Sequence, residues 1–199
     1  AGREKAKSRN GAERAYADYR EMMAQEKLDI VAICPRWIDQ HFDMLKAAAE
    51  AGCNVYMEKP FCRTLEECDW VVNQFDMRHL KLTIAHISLY SPVLKTIEKI
   101  IADGVIGDVL EIRGRGKEDR RGGGEDLWVL GSHIFGIMRR LGGSPTSCSA
   151  TVRENGQPVT KAHVKPGAEG IGPLAGDHIQ ATFSMPNSIT GYFASRRNM

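Results

Sequence analysis

The sequence predicts an α/β chain: part of a parallel sheet first, then part of an α+β unit with a mostly antiparallel sheet. Three observations carry this. The apolar runs LDIVAIC (28–34), NVYME (54–58) and KLTIAHI (81–87) have strand length and are separated by helical patterns. Beyond about residue 88 the rhythm changes to two-residue alternation, in DVLEIRGRG (108–116), SCSATV (147–152), DHIQATFSM (177–185) and SITGYFAS (188–195). Gly, Pro and Ser-Pro signals fall between the runs rather than inside them.

In chain order, residues 12–26 read as a helix, with Ala12, Ala15, Tyr19, Met22 and Met23 at three- and four-residue steps. After the first strand, 38–51 is helical, with Phe42, Leu45, Ala48 and Ala49 on one face and Gly52 placed to stop it. Thr64 and Glu67 form a TxxE capping box that opens a helix to about His79. Ser91-Pro92 starts another and Gly104 ends it. Strands alternating with helices predict a parallel sheet covered on both faces, with ligands bound beyond the strands' carboxyl ends. CPRW (34–37) and EKPF (58–61) both fall there. In the second part, a Gly122-Gly123-Gly124 loop precedes a helix at about 125–141, with a stripe of Leu127, Leu130, Ile134, Met138 and Leu141. Strand 188–195 pairs with 177–185 across Pro186-Asn187, and the Gly- and Pro-rich stretch 153–176 reads as a long loop. The domain division is expected at 1–87 and 88–199.

The 199 residues are 42% apolar and 26% charged, enough to bury a core, with a net charge of +2. The basic patch RGRGKEDRR (113–121) is interrupted by Glu118 and Asp119 and reads as a solvated loop, which argues against a nucleic-acid partner. No apolar run approaches the ~18–20 residues of a membrane span, and no signal peptide is visible. Cys34, Cys53, Cys62, Cys68 and Cys148 form no CxxC pair. They fit reduced thiols of a cytoplasmic protein, and no metal site is expected.

Three places are candidates for chemistry. Glu58 and Lys59 end a strand beside Pro60, so a lysine there can exchange a proton with a substrate oxygen; a surface ion pair is the competing reading. His133 borders a buried stripe and is either a satisfied core residue or an acid–base group sharing a face with Asp126. His41 lies in the first turn of the helix after CPRW and is either surface or functional. GIGPLA (170–175) matches a dinucleotide-loop pattern but lacks the strand–turn–helix context, so it is a decoy.

The string AICPRW, then His41, then AAAEAGCNVYMEKPFCRTLEE resembles the Gfo/Idh/MocA (glucose–fructose oxidoreductase/inositol dehydrogenase) family. The likeness continues through SPVLKTIEKIIADGVIGDVLEIR and GGGEDLWVLGSHIFGIMRRLGG. The resemblance implies a partial Rossmann-type sheet and hydride transfer between NAD or NADP and a carbinol carbon of a sugar, cyclitol or related polyol. Lys59 and His133 would be catalytic, with Cys34, Pro35, Arg36, His41, Glu58 and Lys59 at the cofactor. His86, Asp126 and Trp128 would join Lys59 and His133 at the substrate, and the whole protein would self-associate through its C-terminal sheet. Two departures stand out. Val129 and Gly136 occupy positions where the family has aspartates, so His133 lacks its usual carboxylate. The family's GxGxxG loop would precede residue 1, so the chain is expected to be a fragment that alone binds NAD(P) poorly. A non-catalytic member of the fold, or a nicotinamide-dependent glycosidase, are the alternatives.

Overall fold

The computed structural model describes residues 2–199, in two compact units, Ala1–Ala85 and His86–Met199. In the first, α1 (Gly2–Asn10) is polar and buries none of its residues. The helix expected over 12–26 is shorter: α2 spans Tyr19–Gln25. Asp18 is extended (φ −119°, ψ 130°) and its carboxylate accepts the Arg20 N–H at 2.8 Å, so the helix begins only there.

Strands β1 (Ile30–Ile33), β2 (Asn54–Met57) and β3 (Leu82–Ile84) form a parallel sheet in the order β1-β2-β3. Ile33 lies opposite Met57 and Met57 opposite Ile84, so all three strands end level. A 3-10 turn (Ile38–Gln40) leads into α3 (His41–Glu50), and Gly52 (φ +74°) follows it in the left-handed region that glycine enters without a Cβ clash. At α4 (Leu65–Met77) the Thr64 hydroxyl accepts the Glu67 N–H at 3.2 Å, while the Glu67 carboxylate accepts the Arg63 N–H at 2.9 Å, one residue before the cap.

Alternation in β1 and β2 turns Val31, Ile33, Val55 and Met57 to one face, where Leu45, Ala48 and Ala49 of α3 and Val71 and Phe75 of α4 meet them. Among the described residues these helices supply the expected cover on one face. The opposite face shows Ile30 and Tyr56 to solvent. The cause is handedness: right-handed crossovers that step from β1 to β2 to β3 in one direction place both helices on the same side.

The second unit opens with a 3-10 turn (Ile87–Tyr90) and α5 (Pro92–Ala102), whose cap is the Ser91 hydroxyl accepting the Val93 N–H at 3.2 Å. Its strands are β4 (Glu111–Arg115), β5 (Ser147–Glu154), β6 (Gln157–Pro158), β7 (Lys165–Pro166), β8 (Pro173–Leu174), β9 (His178–Ser184) and β10 (Thr190–Arg196). Five of them form one sheet in the order β4-β10-β9-β5-β6, with β10 antiparallel to β9 and parallel to β4. The stretch 153–176 is not featureless: it holds β6 and the small β7–β8 hairpin.

The single helix expected over 125–141 is broken. A 3-10 turn (Gly123–Glu125) and a π-helical turn (Leu127–Gly131) precede α6 (Ser132–Gly142). Helix α6 packs closely on the sheet because a Cβ at Gly114 would fall 2.2 Å from the Ile134 side chain. Phe135 adds ring contacts to Phe193 (4.9 Å) and Phe183 (5.6 Å). In the first unit Phe75 is the largest core residue and 2% exposed. Phe75→Ala is expected to lower stability by about 3–5 kcal/mol, measured as the shift of the urea-unfolding curve.

Candidate functional site

The carboxyl ends of β1 and β2 bring CPRW and EKPF side by side. Glu58 N–H donates to Ile33 O at 2.8 Å, the last rung of that ladder, and Ala85 N–H donates to Met57 O at 2.7 Å on the other side. Cys34, Arg36 and Trp37 are exposed there, and Pro35, Glu58, Lys59, Pro60 and Phe61 are half-buried. The Lys59–Pro60 peptide is cis. A guanidinium beside an exposed indole and a proline ring suits an anionic ligand with flat rings. A nicotinamide dinucleotide belongs to that class, so the residues present at these strand ends fit one.

His41 sits elsewhere than a ligand contact requires. It is 0% exposed, with Nδ1 2.8 Å from Pro60 O and 3.2 Å from Phe61 O, and Nε2 3.0 Å from Pro35 O. Its ring lies between the two turns and leaves no surface for a cofactor. The expected contact role is therefore corrected, since burial and backbone carbonyls at both nitrogens occupy the side chain.

In the second unit His86 and His133 meet edge to face, with ring centroids 5.3 Å apart and planes at 82°. Trp128 is half-buried within the π-helical turn. Asp126 is fully buried, so the expectation that it touches substrate is also corrected. Its Oδ2 accepts the Lys117 N–H at 2.6 Å and the Ser195 hydroxyl at 2.9 Å, and Ser195 Oγ accepts the Gly123 N–H at 3.0 Å. Gly116 makes room for this: a Cβ there would lie 1.9 Å from Asp126 Oδ2. Asp126 thus ties the glycine loop to the ends of β4 and β10. Sequence reasoning missed Ser195, although the signal exists: it is the polar member of the inward set Gly191, Phe193, Ser195.

A concavity of about 780 Å³ lies on the outward face of the five-stranded sheet, lined by residues such as Arg113, Thr151, Gln180 and Tyr192. None of the residues predicted above for cofactor or substrate lines it, so volume and chemistry point to different places, and the strand ends are the better candidate. Among the described residues no group of three or more His, Cys, Asp or Glu could hold a metal, and no helix is long and apolar enough to cross a membrane.

Residues 1–86 match the family model GFO_IDH_MocA, described as an oxidoreductase family with an NAD-binding Rossmann fold. Residues 1–86 belong to the Gfo/Idh/MocA oxidoreductase family. Among curated relatives, scyllo-inositol 2-dehydrogenase (NADP(+)) of Bacillus subtilis is 29% identical over 138 residues, covering 62% of this chain and 38% of that protein. D-apiose dehydrogenase of Paraburkholderia graminis is 29% identical over 159 residues, covering 73% and 41%. Among solved structures, a levoglucosan dehydrogenase in complex with NADH and levoglucosan aligns with a TM-score of 0.78 at 22% identity, over 99% of this chain and 55% of that one. Myo-inositol 2-dehydrogenase from Lactobacillus plantarum aligns with a TM-score of 0.77 at 21% identity, over 98% and 58%. These structural likenesses show that nearly the whole chain shares the fold of those two proteins. The chain spans less than half the length of the two curated relatives.

Two outcomes follow from this geometry. Asp126→Ala leaves the half-buried Lys117 N–H and the buried Ser195 hydroxyl without this acceptor and is expected to lower stability by roughly 1–3 kcal/mol in urea unfolding. Burial, with Cys68 and Glu67 nearby, pushes the Cys62 thiol up to about 12, whereas Cys34 and Cys148 are exposed. Thiolate is the reactive form. Iodoacetamide at pH 8 should therefore alkylate Cys34 and Cys148 in the native protein and Cys62 only after unfolding, as read by peptide mass spectrometry.

Proposed function

We propose that the protein carrying this chain is an NAD(P)-dependent oxidoreductase that moves a hydride between the nicotinamide and a carbinol carbon of a sugar, cyclitol or related polyol. The observation that carries this reading is the EKPF turn at the carboxyl end of β2, held beside CPRW at the end of β1 on a parallel sheet. The names of the relatives, dehydrogenases of scyllo-inositol and D-apiose, support the substrate class. In this reading the first unit is the later part of a dinucleotide-binding domain and the second the earlier part of a substrate domain.

Bound NAD(P) supplies the hydride acceptor or donor. The chain's own part is proton handling and orientation. Lys59 Nζ takes the proton of the reacting hydroxyl during oxidation and returns it during reduction. The strand end fixes the backbone on which that amine rides, so its reach to the reacting oxygen is set before substrate arrives. Pro35, Arg36 and Glu58 border the cofactor. His133 is the second acid–base group, with His86 against its ring and Trp128 one turn earlier at the substrate. Self-association through the outward face of the five-stranded sheet belongs to the same reading. That face is lined by small polar side chains and by Tyr192, with the Arg113 guanidinium 4.8 Å from its ring.

A second reading is a non-catalytic, dinucleotide-binding member of the fold. Val129 and Gly136, at the positions of the family's aspartates, favour it. Nicotinamide reduction by the protein carrying this chain, across a panel of polyols, separates the two. Lys59→Ala is expected to lower kcat/KM by about 10²–10⁴-fold while dinucleotide binding, followed by intrinsic fluorescence, stays nearly unchanged. Binding without turnover of any polyol by the unaltered protein would instead establish the non-catalytic reading.

A further inference from the structure

The ring of His41 occupies a place that no substrate or cofactor can share, yet it touches both turns that carry the strand-end candidates. Those turns are short of donors. Pro35 and Pro60 have no N–H, and both have left the ladder that would satisfy their carbonyls. His41 is the first residue of α3, entered from the 3-10 turn Ile38–Gln40, and this entry directs its side chain back beneath the sheet's carboxyl edge. From there Nδ1 reaches Pro60 O at 2.8 Å and Phe61 O at 3.2 Å, while Nε2 reaches Pro35 O at 3.0 Å.

An imidazole with a single ring N–H can donate to one of the two turns and not to both. Carbonyl oxygens only accept, so whichever ring nitrogen carries hydrogen donates to its turn. The shortest of the three contacts is to Pro60 O, the residue directly after Lys59. Lys59 therefore stands between two anchored points: Glu58 N–H on Ile33 O at 2.8 Å before it, and the Pro60 carbonyl on His41 after it.

We propose that His41 is a positioning residue: through Nδ1–H donating to Pro60 O it fixes the backbone on either side of Lys59, and so the aim of the Lys59 amine. This rests on the oxidoreductase reading for its consequence, though not for its geometry. Removing the contact should leave the dinucleotide surface at Arg36 and Trp37 in place while loosening the turn that presents Lys59.

Three substitutions in the protein carrying this chain test it. His41→Phe keeps a ring of similar volume and removes both nitrogens. His41→Asn keeps an amide donor near the place of Nδ1, and His41→Gln keeps one near the place of Nε2. Two readouts are taken: hydrogen exchange of peptides covering 58–64, and kcat separately from KM. The expected result for His41→Phe is loss of exchange protection over 58–64 and a fall in kcat on the order of 10²-fold, with KM for the dinucleotide little changed. His41→Asn should restore most of both, and His41→Gln should resemble Phe. A residue that only fills space would show no such difference between Asn and Gln. Unchanged protection and kcat in His41→Phe, or an Asn variant as impaired as Phe, would overturn the proposal. If the unaltered protein turns over no polyol, the oxidoreductase reading fails, and the exchange pattern alone still decides whether His41 holds the turn.

Discussion

Glu58 N–H on Ile33 O closes the ladder between β1 and β2, and the arrangement of the candidate site follows from that parallel pairing. Parallel strands end at the same edge, so the turns after them must leave the sheet together. Carbonyls freed at that edge need donors, and two prolines in the turns remove donors that the backbone would otherwise supply. The first residue of the next helix, His41, meets the need from inside. At these turns Cys34, Arg36 and Trp37 are exposed, and Glu58 and Lys59 are half-buried.

The second unit solves a comparable problem with a carboxylate. Gly116 leaves room for Asp126, which accepts from a main-chain N–H and a serine hydroxyl, while Gly122, Gly123 and Gly124 let their loop approach the backbone at Arg196 and at 175–177. Deep burial of a carboxylate is costly unless such donors converge on it. With that anchor in place, the widened turn Leu127–Gly131 delivers the chain to α6, where His133 meets His86. A π-helical turn shifts every later side chain around the axis relative to an unbroken helix. The departure from a regular 125–141 helix therefore bears directly on where His133 faces.

Much was legible in the sequence because it is written in local periodicity. Strand length, two-residue alternation, the Thr64 and Ser91 caps and the Gly52 and Gly104 stops each act within a few residues, so each leaves a local mark. The motifs EKPF and CPRW, with their flanks, were enough to indicate the Gfo/Idh/MocA relationship that the matched region bears out. One error of extent, the helix over 12–26, came from apolar spacing that Asp18 overrode by capping a shorter helix.

Two properties were decided by tertiary structure alone. A histidine in a first helical turn has the same local pattern whether it faces solvent, a ligand or two backbone turns. Only the packing of α3 beneath the sheet made His41 a bridge between residues 6 and 19 or 20 positions away. Likewise Asp126 looked available to a substrate until Ser195, 69 residues later, closed over it. Periodicity records which face of an element is apolar, and so the sequence by itself determined the longer strands, several helices and the family likeness of residues 1–86. It does not record which polar groups lie opposite one another across long separations, and that juxtaposition is set only when the chain is packed.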